Sequence, residues 1–217
     1  MSTRRPKSSS RERIMDAAEH VVREKGASHM TMDAVAAKAG VSKGGLIYHF
    51  PSQRDLLKAM LKRFIDHVEA RMAKARATLP ASPVREIKAY VTAWFSLGGK
   101  CRRTASALLA TITREPELLN TLHKKHFETI AKIVEAAPSR ERVTILSLAT
   151  EGMWMSELLN ISPFTNSERG RIKRALLRLA DEWYRPPAMG SPPKGSRRQG
   201  KSTRKGKPRI SQRGLQP

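Results

Sequence analysis

The chain has 217 residues, and its 42 Lys and Arg against 19 Asp and Glu give a formal net charge of +23 at pH 7. This length suffices for one large domain or two small ones with a buried core. The single cysteine, Cys101, excludes an internal disulfide and has no companions for a zinc site, so we expect no metal and no cofactor. No stretch approaches the roughly 20 apolar residues of a membrane span, and no apolar stretch follows the first charges, which predicts a cytoplasmic protein.

The positive charge is concentrated at the two ends of the chain. All 19 acidic residues lie between Glu12 and Glu182, whereas residues 1–10 carry three basic side chains and residues 186–217 carry nine. Both ends are nearly free of apolar residues, which predicts disordered basic arms. Such arms suit a polyanion, either nucleic acid or an anionic membrane surface, because neutralised phosphates release counterions. A solvated tail without a partner is the alternative.

The first predicted helix covers residues 11–25 and ends at Gly26. A second, short helix is predicted to begin after Thr31, whose hydroxyl can cap free backbone amides, and to end at Gly40. Ser42 can cap a third helix, in which Leu46 and the Phe50 that follows four residues later point inward.

A long fourth helix is predicted over residues 53–77, with Ser52 and Asp55 forming an approximate capping box. Further helical patterns cover residues 84–95, about 102–114, 116–136, 140–159 and 166–183, and strand-type alternation is absent. We expect a loop or bend between Leu97 and Lys100, because two adjacent glycines weaken a helix. The sequence therefore predicts an all-α protein.

Residues 31–50, TMDAVAAKAGVSKGGLIYHF, have the spacing of a helix-turn-helix. The outward positions of its second helix lack the paired carboxylates of an ordinary solvated helix. Two adjacent glycines cost a helix about 1 kcal/mol each relative to alanine, so close approach of a partner is the better explanation for them. The DNA major groove admits such a helix, with its positive N-terminal end towards bases and phosphates.

The segment AAKAGVSKGGLIYHF, followed by LL, resembles the tetracycline-repressor (TetR) family, and the resemblance extends over about residues 11–63. It implies that the third helix reads the major groove and ends in an aromatic and histidine cluster. Gln53 replaces a lysine that is frequent in the family, and Gly44 or Gly45 replaces a bulkier residue. The predicted DNA-binding residues are Thr31, Ser42, Lys43, Gly44, Gly45, Ile47, Tyr48, His49 and Gln53.

The same resemblance implies a helix-turn-helix DNA-binding domain at residues 11–57 and a helical-bundle regulatory and dimerisation domain at residues 58–185. It implies a homodimer and a small-molecule effector pocket among the middle helices. The pocket candidates are Trp94, Phe95, His123, His126, Phe127 and Trp154. The dimer-interface candidates are Leu148, Met153, Ile172, Leu176, Leu179 and Trp183. Ordinary core packing is the alternative for the pocket residues and for about half of the interface residues.

The sequence therefore predicts a ligand-responsive transcriptional regulator, a repressor that binds a palindromic operator as a dimer and that a small molecule releases. The alternative is a basic architectural protein that binds DNA without sequence preference. A membrane-surface module is disfavoured because the basic tail lacks interleaved apolar residues. No catalytic constellation is recognisable, so no enzymatic activity is expected. His123 and His126 share a helix face, but they lack the further ligands that a metal needs.

Overall fold

The computed structural model describes residues 9–26, 29–112 and 115–184. In these ranges the chain forms helices and no strand, which confirms the all-α prediction. The helices are α1 (Ser10–Lys25), α2 (Met32–Ala39), α3 (Lys43–His49), α4 (Gln53–Thr78), α5 (Arg85–Phe95), α6 (Gly99–Ile112), α7 (Pro116–Glu135), α8 (Arg140–Leu158) and α9 (Asn166–Trp183).

Local capping chemistry sets the ends of the N-terminal helices. The hydroxyls of Thr31, Ser42 and Ser52 each accept a hydrogen bond from the backbone N–H three residues later, at 3.0 to 3.2 Å. Gly26 ends α1 and Gly40 ends α2, both with a positive φ (86° and 65°) that favours glycine. These caps hold α2 and α3 as two short helices separated by a tight turn.

One hydrophobic core joins the first three helices to the larger bundle. Ile14 and Val35 are fully buried in it, together with Leu46 of α3. Leu108 of α6 and Leu118 of α7 belong to the same cluster. Packing therefore continues across residue 57, the predicted domain boundary, and the division into two domains stays a prediction.

A second core lies among the C-terminal half of α4, α5, α8 and α9. Its centre is made by Ile87, Tyr90 and Val91 of α5, each no more than 1% exposed, and by Ala180 of α9. Arg76 of α4 pairs with Glu86 of α5 through its Nη2, at 2.7 Å. The long helix α4 therefore contributes to both cores.

Two boundary predictions need correction. Gly99 and Lys100 already lie in α6, so the break between α5 and α6 covers only residues 96–98. Ser10 belongs to α1 and Ser9 caps it by accepting from Glu12 N, so the predicted N-terminal arm does not extend to residue 10. The predicted C-terminal tail and residues 1–8 lie outside the described residues. In the described part no helix has both the length and the apolar character needed to cross a bilayer.

Candidate nucleic-acid interface and internal cavity

Helix α3 is held by its buried side and presents its other side to solvent. Leu46 is fully buried and Phe50, directly after the helix, is 2% exposed. On the opposite side Ile47 is 43% exposed and Tyr48 is 84% exposed. Lys43 is exposed at the N-terminal end, so these side chains lie on the predicted contact face. An isoleucine and a tyrosine left in water on so short a helix suggest a partner surface.

The two adjacent glycines of α3 have different surroundings. A Cβ at Gly45 would lie 3.2 Å from the Ser42 hydroxyl, the group that caps the helix. Gly45 therefore has a structural explanation within the chain. A Cβ at Gly44 would meet nothing within 4 Å, so no packing in the chain requires glycine there. Close approach of a partner therefore remains an explanation for the glycine at position 44 alone.

Lys43 is paired with a carboxylate, contrary to the expectation that no acid faces this helix. Its Nζ lies 3.0 Å from Oδ1 of Asp33 and donates to Oδ2 at 3.2 Å. Asp33 is in the first turn of α2, where a negative charge also favours the helix dipole. Both side chains are well exposed, so the pair is weak and its lysine can exchange partners.

The remaining predicted contacts flank α3. Thr31 and Ser42 are exposed, and their hydroxyls accept capping bonds while retaining their own protons for donation. The Gln53 side-chain amide donates to the backbone oxygen of Met30 at 2.8 Å, which ties the start of α4 to the loop before α2. His49 is half-buried and lies edge-on to the Tyr48 ring, with centroids 5.1 Å apart.

Two arginines near this face have different positions. The Arg11 guanidinium lies over the Phe50 ring, 5.0 Å from its centroid, and so places a cation beside the end of α3. No sequence pattern links Arg11 to the end of α3, because Arg11 and Phe50 are far apart along the chain. Arg54, next to Gln53, is engaged by Glu115 at 3.1 Å and Glu117 at 3.0 Å. It therefore joins α4 to the start of α7.

An internal cavity of about 330 Å³ lies among α4, α5, α6, α7 and α8. Four of the six predicted pocket residues line it: Trp94, Trp154, His123 and His126. Its remaining wall is largely apolar.

The other two predicted pocket residues, Phe95 and Phe127, do not line this cavity. Phe95 is buried on another side of α5, where the Arg169 guanidinium covers its ring. Phe127 is 69% exposed and lies outside the cavity lining. It lies one residue beyond the inward-facing His126, which turns its side chain about 100° away on a helix.

The polar groups of the cavity wall include residues that the sequence did not reveal. The Tyr90 hydroxyl donates to Oε1 of Glu151 at 2.8 Å. Burial, and then the nearby Glu151 carboxylate, raise the pKa of Tyr90, so the phenol stays protonated and remains a donor. Glu69 also lines the cavity, but Lys125 binds it through a short ion pair. Tyr90 and Glu151 are 61 residues apart in sequence, and neither stands in a recognisable motif.

The predicted dimer-interface residues separate into three groups. Leu148 is 61% exposed and available to a partner. Met153 and Leu176, in contrast to the prediction, belong to the core of the single chain, where each is at least nine-tenths buried. Ile172, Leu179 and Trp183 are half-buried against that core.

Helix α8 nevertheless carries an exposed apolar stripe, which we call the α8 stripe. Its apolar members are Ile145, Leu148, Met155 and Leu159, all 45% to 61% exposed, with Gly152 at the centre. The spacing alternates between three and four residues, as in a helix that packs along another helix. A Cβ at Gly152 would meet nothing within 4 Å, so the middle of the stripe is open to close approach.

Comparison with known proteins agrees with this architecture. Residues 14–60 match the family of bacterial regulatory proteins of the tetR type, and residues 84–181 match the tetracyclin repressor-like C-terminal domain. The chain is 27% identical to the HTH-type transcriptional regulator BetI of Burkholderia thailandensis over 183 residues, which cover 80% of this chain and 90% of the relative. The BetI of Paraburkholderia phymatum is 26% identical over the same coverage.

Solved structures share the fold. A putative TetR-family transcriptional regulator from a Rhodococcus species superposes with a TM-score of 0.65 at 19% identity, covering 81% of this chain and 98% of the other. The multidrug binding protein EbrR complexed with imidazole gives a TM-score of 0.59 at 24% identity, covering 84% and 99%. Together the two family matches span most of both cores and the exposed helix α3. The chain therefore belongs to the TetR family of DNA-binding transcriptional regulators.

Proposed function

We propose that the protein is a repressor that binds a palindromic operator as a homodimer and that leaves the operator when a small molecule occupies the internal cavity. The exposed face of α3 carries this proposal. It combines a cation at the positive helix end, an open glycine and the solvent-facing Ile47 and Tyr48. Base edges and phosphates in the major groove are complementary to such a face.

Homodimerisation is supported by the α8 stripe. Leu148 and its apolar neighbours lie in water in the single chain, and a second copy would bury them. A dimer holds two copies of α3 at a fixed separation, and two half-sites about 34 Å apart lie in successive major grooves. Two-fold symmetry of the protein then requires a palindromic site.

Release by a ligand is supported by the position of the cavity. Leu61 of α4 and Leu108 of α6 are buried members of the core that holds α1 to α3, and both also line the cavity. Arg63 of α4 binds α1 through Asp16 at 2.6 Å, Glu19 at 3.3 Å and Glu12 at 3.4 Å. A ligand that shifts α4 or α6 therefore shifts the support of the recognition helix.

Such coupling has a thermodynamic consequence. A ligand releases DNA only if it binds the DNA-free arrangement more tightly, and the operator must then weaken ligand binding by the same factor.

The alternative, an architectural protein without sequence preference, depends on the basic tail at residues 186–217. Selection of bound sequences from random duplex DNA distinguishes the two functions. A regulator enriches one palindrome both with and without the tail, and the tail contributes only salt-dependent background. An architectural protein enriches no sequence and loses most of its affinity when the tail is removed.

A variant that combines K43A and Y48A supplies the control for this selection. Both side chains are exposed, so its melting temperature should match that of the wild type. We expect this variant to enrich no palindrome. A palindrome recovered equally well by the variant would mean that α3 does not read the sequence.

A further inference from the structure

We infer that the internal cavity is built for an organic cation, recognised by the Glu151 carboxylate and the aromatic rings beside it. This inference rests on the proposed effector function of the cavity and adds the charge and chemical class of the ligand. It follows from the balance of charge in the wall, from the aromatic surfaces, and from the hydrogen bond that orients the carboxylate.

The charged groups of the wall leave one carboxylate without a full cationic partner. Glu69 is neutralised by Lys125, whose ammonium also lies 3.9 Å from Glu128. For Glu151, the structure as far as it is described records one ion-pair partner, Nε2 of His126, and that atom is 3.9 Å away. At that separation the imidazole nitrogen is beyond hydrogen-bonding distance of the carboxylate. The wall therefore offers a carboxylate to a cation, although the chain as a whole is strongly basic.

The orientation of Glu151 is fixed by a buried donor. Tyr90 is 1% exposed, and its hydroxyl donates to Oε1 of Glu151. This bond leaves Oε2 of the carboxylate, which lies 3.9 Å from Nε2 of His126, without a hydrogen bond from Tyr90 and open to a cation. In an apolar cavity a carboxylate interacts with a cation more strongly than it would in water. The Glu151 side chain is 30% exposed, and a ligand that covers it removes the remaining water, which favours a cationic ligand over a neutral one.

Aromatic rings surround the same position. Trp94 lies edge-on to Tyr90 with ring centroids 5.9 Å apart, and it lies 5.1 Å from Trp154. Trp154 is 7% exposed, so its ring is largely shielded from bulk water. Tryptophan and tyrosine faces attract cations, most strongly where water is excluded.

An anionic ligand would find little support in this wall. Among the residues that the structure describes, Lys125 is the one lysine or arginine that lines the cavity, and two carboxylates already engage it. The cavity volume of about 330 Å³ lies at the lower end of the range of roughly 300–1,000 Å³ for small-molecule sites. A compact ammonium compound with an aromatic or aliphatic substituent fits both the charge and the size.

Three probes of similar shape and different charge test the inference on the full-length protein without DNA. They are benzyltrimethylammonium, its uncharged carbon isostere neopentylbenzene, and phenylmethanesulfonate. Tryptophan fluorescence reports binding, because Trp94 and Trp154 line the cavity. We expect the cation to bind at least about tenfold more tightly than either of the other two, as one charge-assisted contact provides.

The variant E151Q removes the charge and retains an oxygen that can accept from Tyr90. It should lower the affinity for the cation by about tenfold or more and leave the affinity for neopentylbenzene within about twofold. E135Q is the matched control, because Glu135 is exposed at the end of α7 outside the cavity wall and should leave cation affinity unchanged. Melting temperatures establish that both variants fold.

The probe series on the wild type decides the question even if E151Q does not fold. The cation inference is overturned if the neutral or the anionic probe binds as tightly as the cation or more tightly. It is also overturned if E151Q lowers the affinity for the cation and for neopentylbenzene equally. Absence of binding by all three probes overturns it as well. Because the assay contains no DNA, a failure here is separate from a failure of sequence-specific DNA binding, which the selection experiment measures.

Discussion

Removing the carboxylate of Asp33 should strengthen DNA binding. In the free protein Asp33 holds Lys43 at 3.0 Å, and both side chains are more than 60% exposed. An exposed pair of this kind is worth about 0.2–1 kcal/mol, which the lysine must give up before it contacts a phosphate. The variant D33N removes that cost, and operator affinity should rise about 1.5- to 5-fold.

Fluorescence anisotropy with a labelled operator over a series of salt concentrations measures this effect. K43A should reduce the slope of log affinity against log salt by about 0.9, as expected for the loss of one phosphate contact. In the K43A background, D33N should have little further effect, which a double-mutant cycle detects. E182Q, with the same change of net charge on α9, should leave affinity nearly unchanged.

Two results would refute this reasoning. Weaker binding by D33N would mean that Asp33 positions Lys43 in the complex, so that the pair is part of the bound state. An unchanged salt slope in K43A would mean that Lys43 does not reach a phosphate.

Three further predictions test the dimer, the shared core and the turn. L148E places a charge in the α8 stripe and should sediment as a folded monomer. The control F127E, at an exposed site outside the stripe, should sediment as a dimer. A dimeric L148E would contradict the proposed interface. L108A should lower the free energy of unfolding by about 2–5 kcal/mol in urea titrations, and a cost below 1 kcal/mol would argue against Leu108 as a shared core residue. G40A should lower the free energy of unfolding by about 1–2 kcal/mol, because φ is positive at Gly40. G44A should raise the free energy of unfolding by up to about 1 kcal/mol, because alanine favours a helix more than glycine does and the site is open. Equal effects of the two substitutions in urea titrations would contradict the assignment of strain to Gly40.

The N-terminal helices were predictable because local chemistry defines them. Capping hydroxyls at Thr31, Ser42 and Ser52 act within three residues, and Gly26 and Gly40 end the helices before them. Such interactions depend on neighbours in sequence, so the sequence pattern contains them. The family resemblance covered this same region.

Contacts between distant elements were not predictable in the same way. The pair of Asp33 and Lys43 joins two helices, and the bond between Tyr90 and Glu151 joins α5 to α8. No periodicity within one helix indicates which side chain of another helix lies opposite. The charge of the cavity wall therefore became visible only once the helices were packed.

Helix α8 shows why an apolar pattern did not distinguish core from interface. Its buried side includes Ser147 and Thr150, whose hydroxyls donate to backbone oxygens one turn earlier, at 2.9 and 2.8 Å. These internal bonds allow polar residues to be buried, while Ile145 and Leu148 stay in water. Because apolar residues lie on both sides of the helix, the apolar pattern predicted the same role for Met153 and Leu148.

The most direct test of the central claim compares the affinity of the protein for three duplexes at about physiological salt. They are the selected palindrome, the same duplex with one half-site scrambled, and a fully scrambled duplex. If two copies of α3 read the operator as a dimer, the palindrome binds about 10³-fold or more tightly than the scrambled duplex, and loss of one half-site removes a large part of that preference. Affinities within about tenfold of one another for all three would contradict the account, because binding would then depend on charge alone.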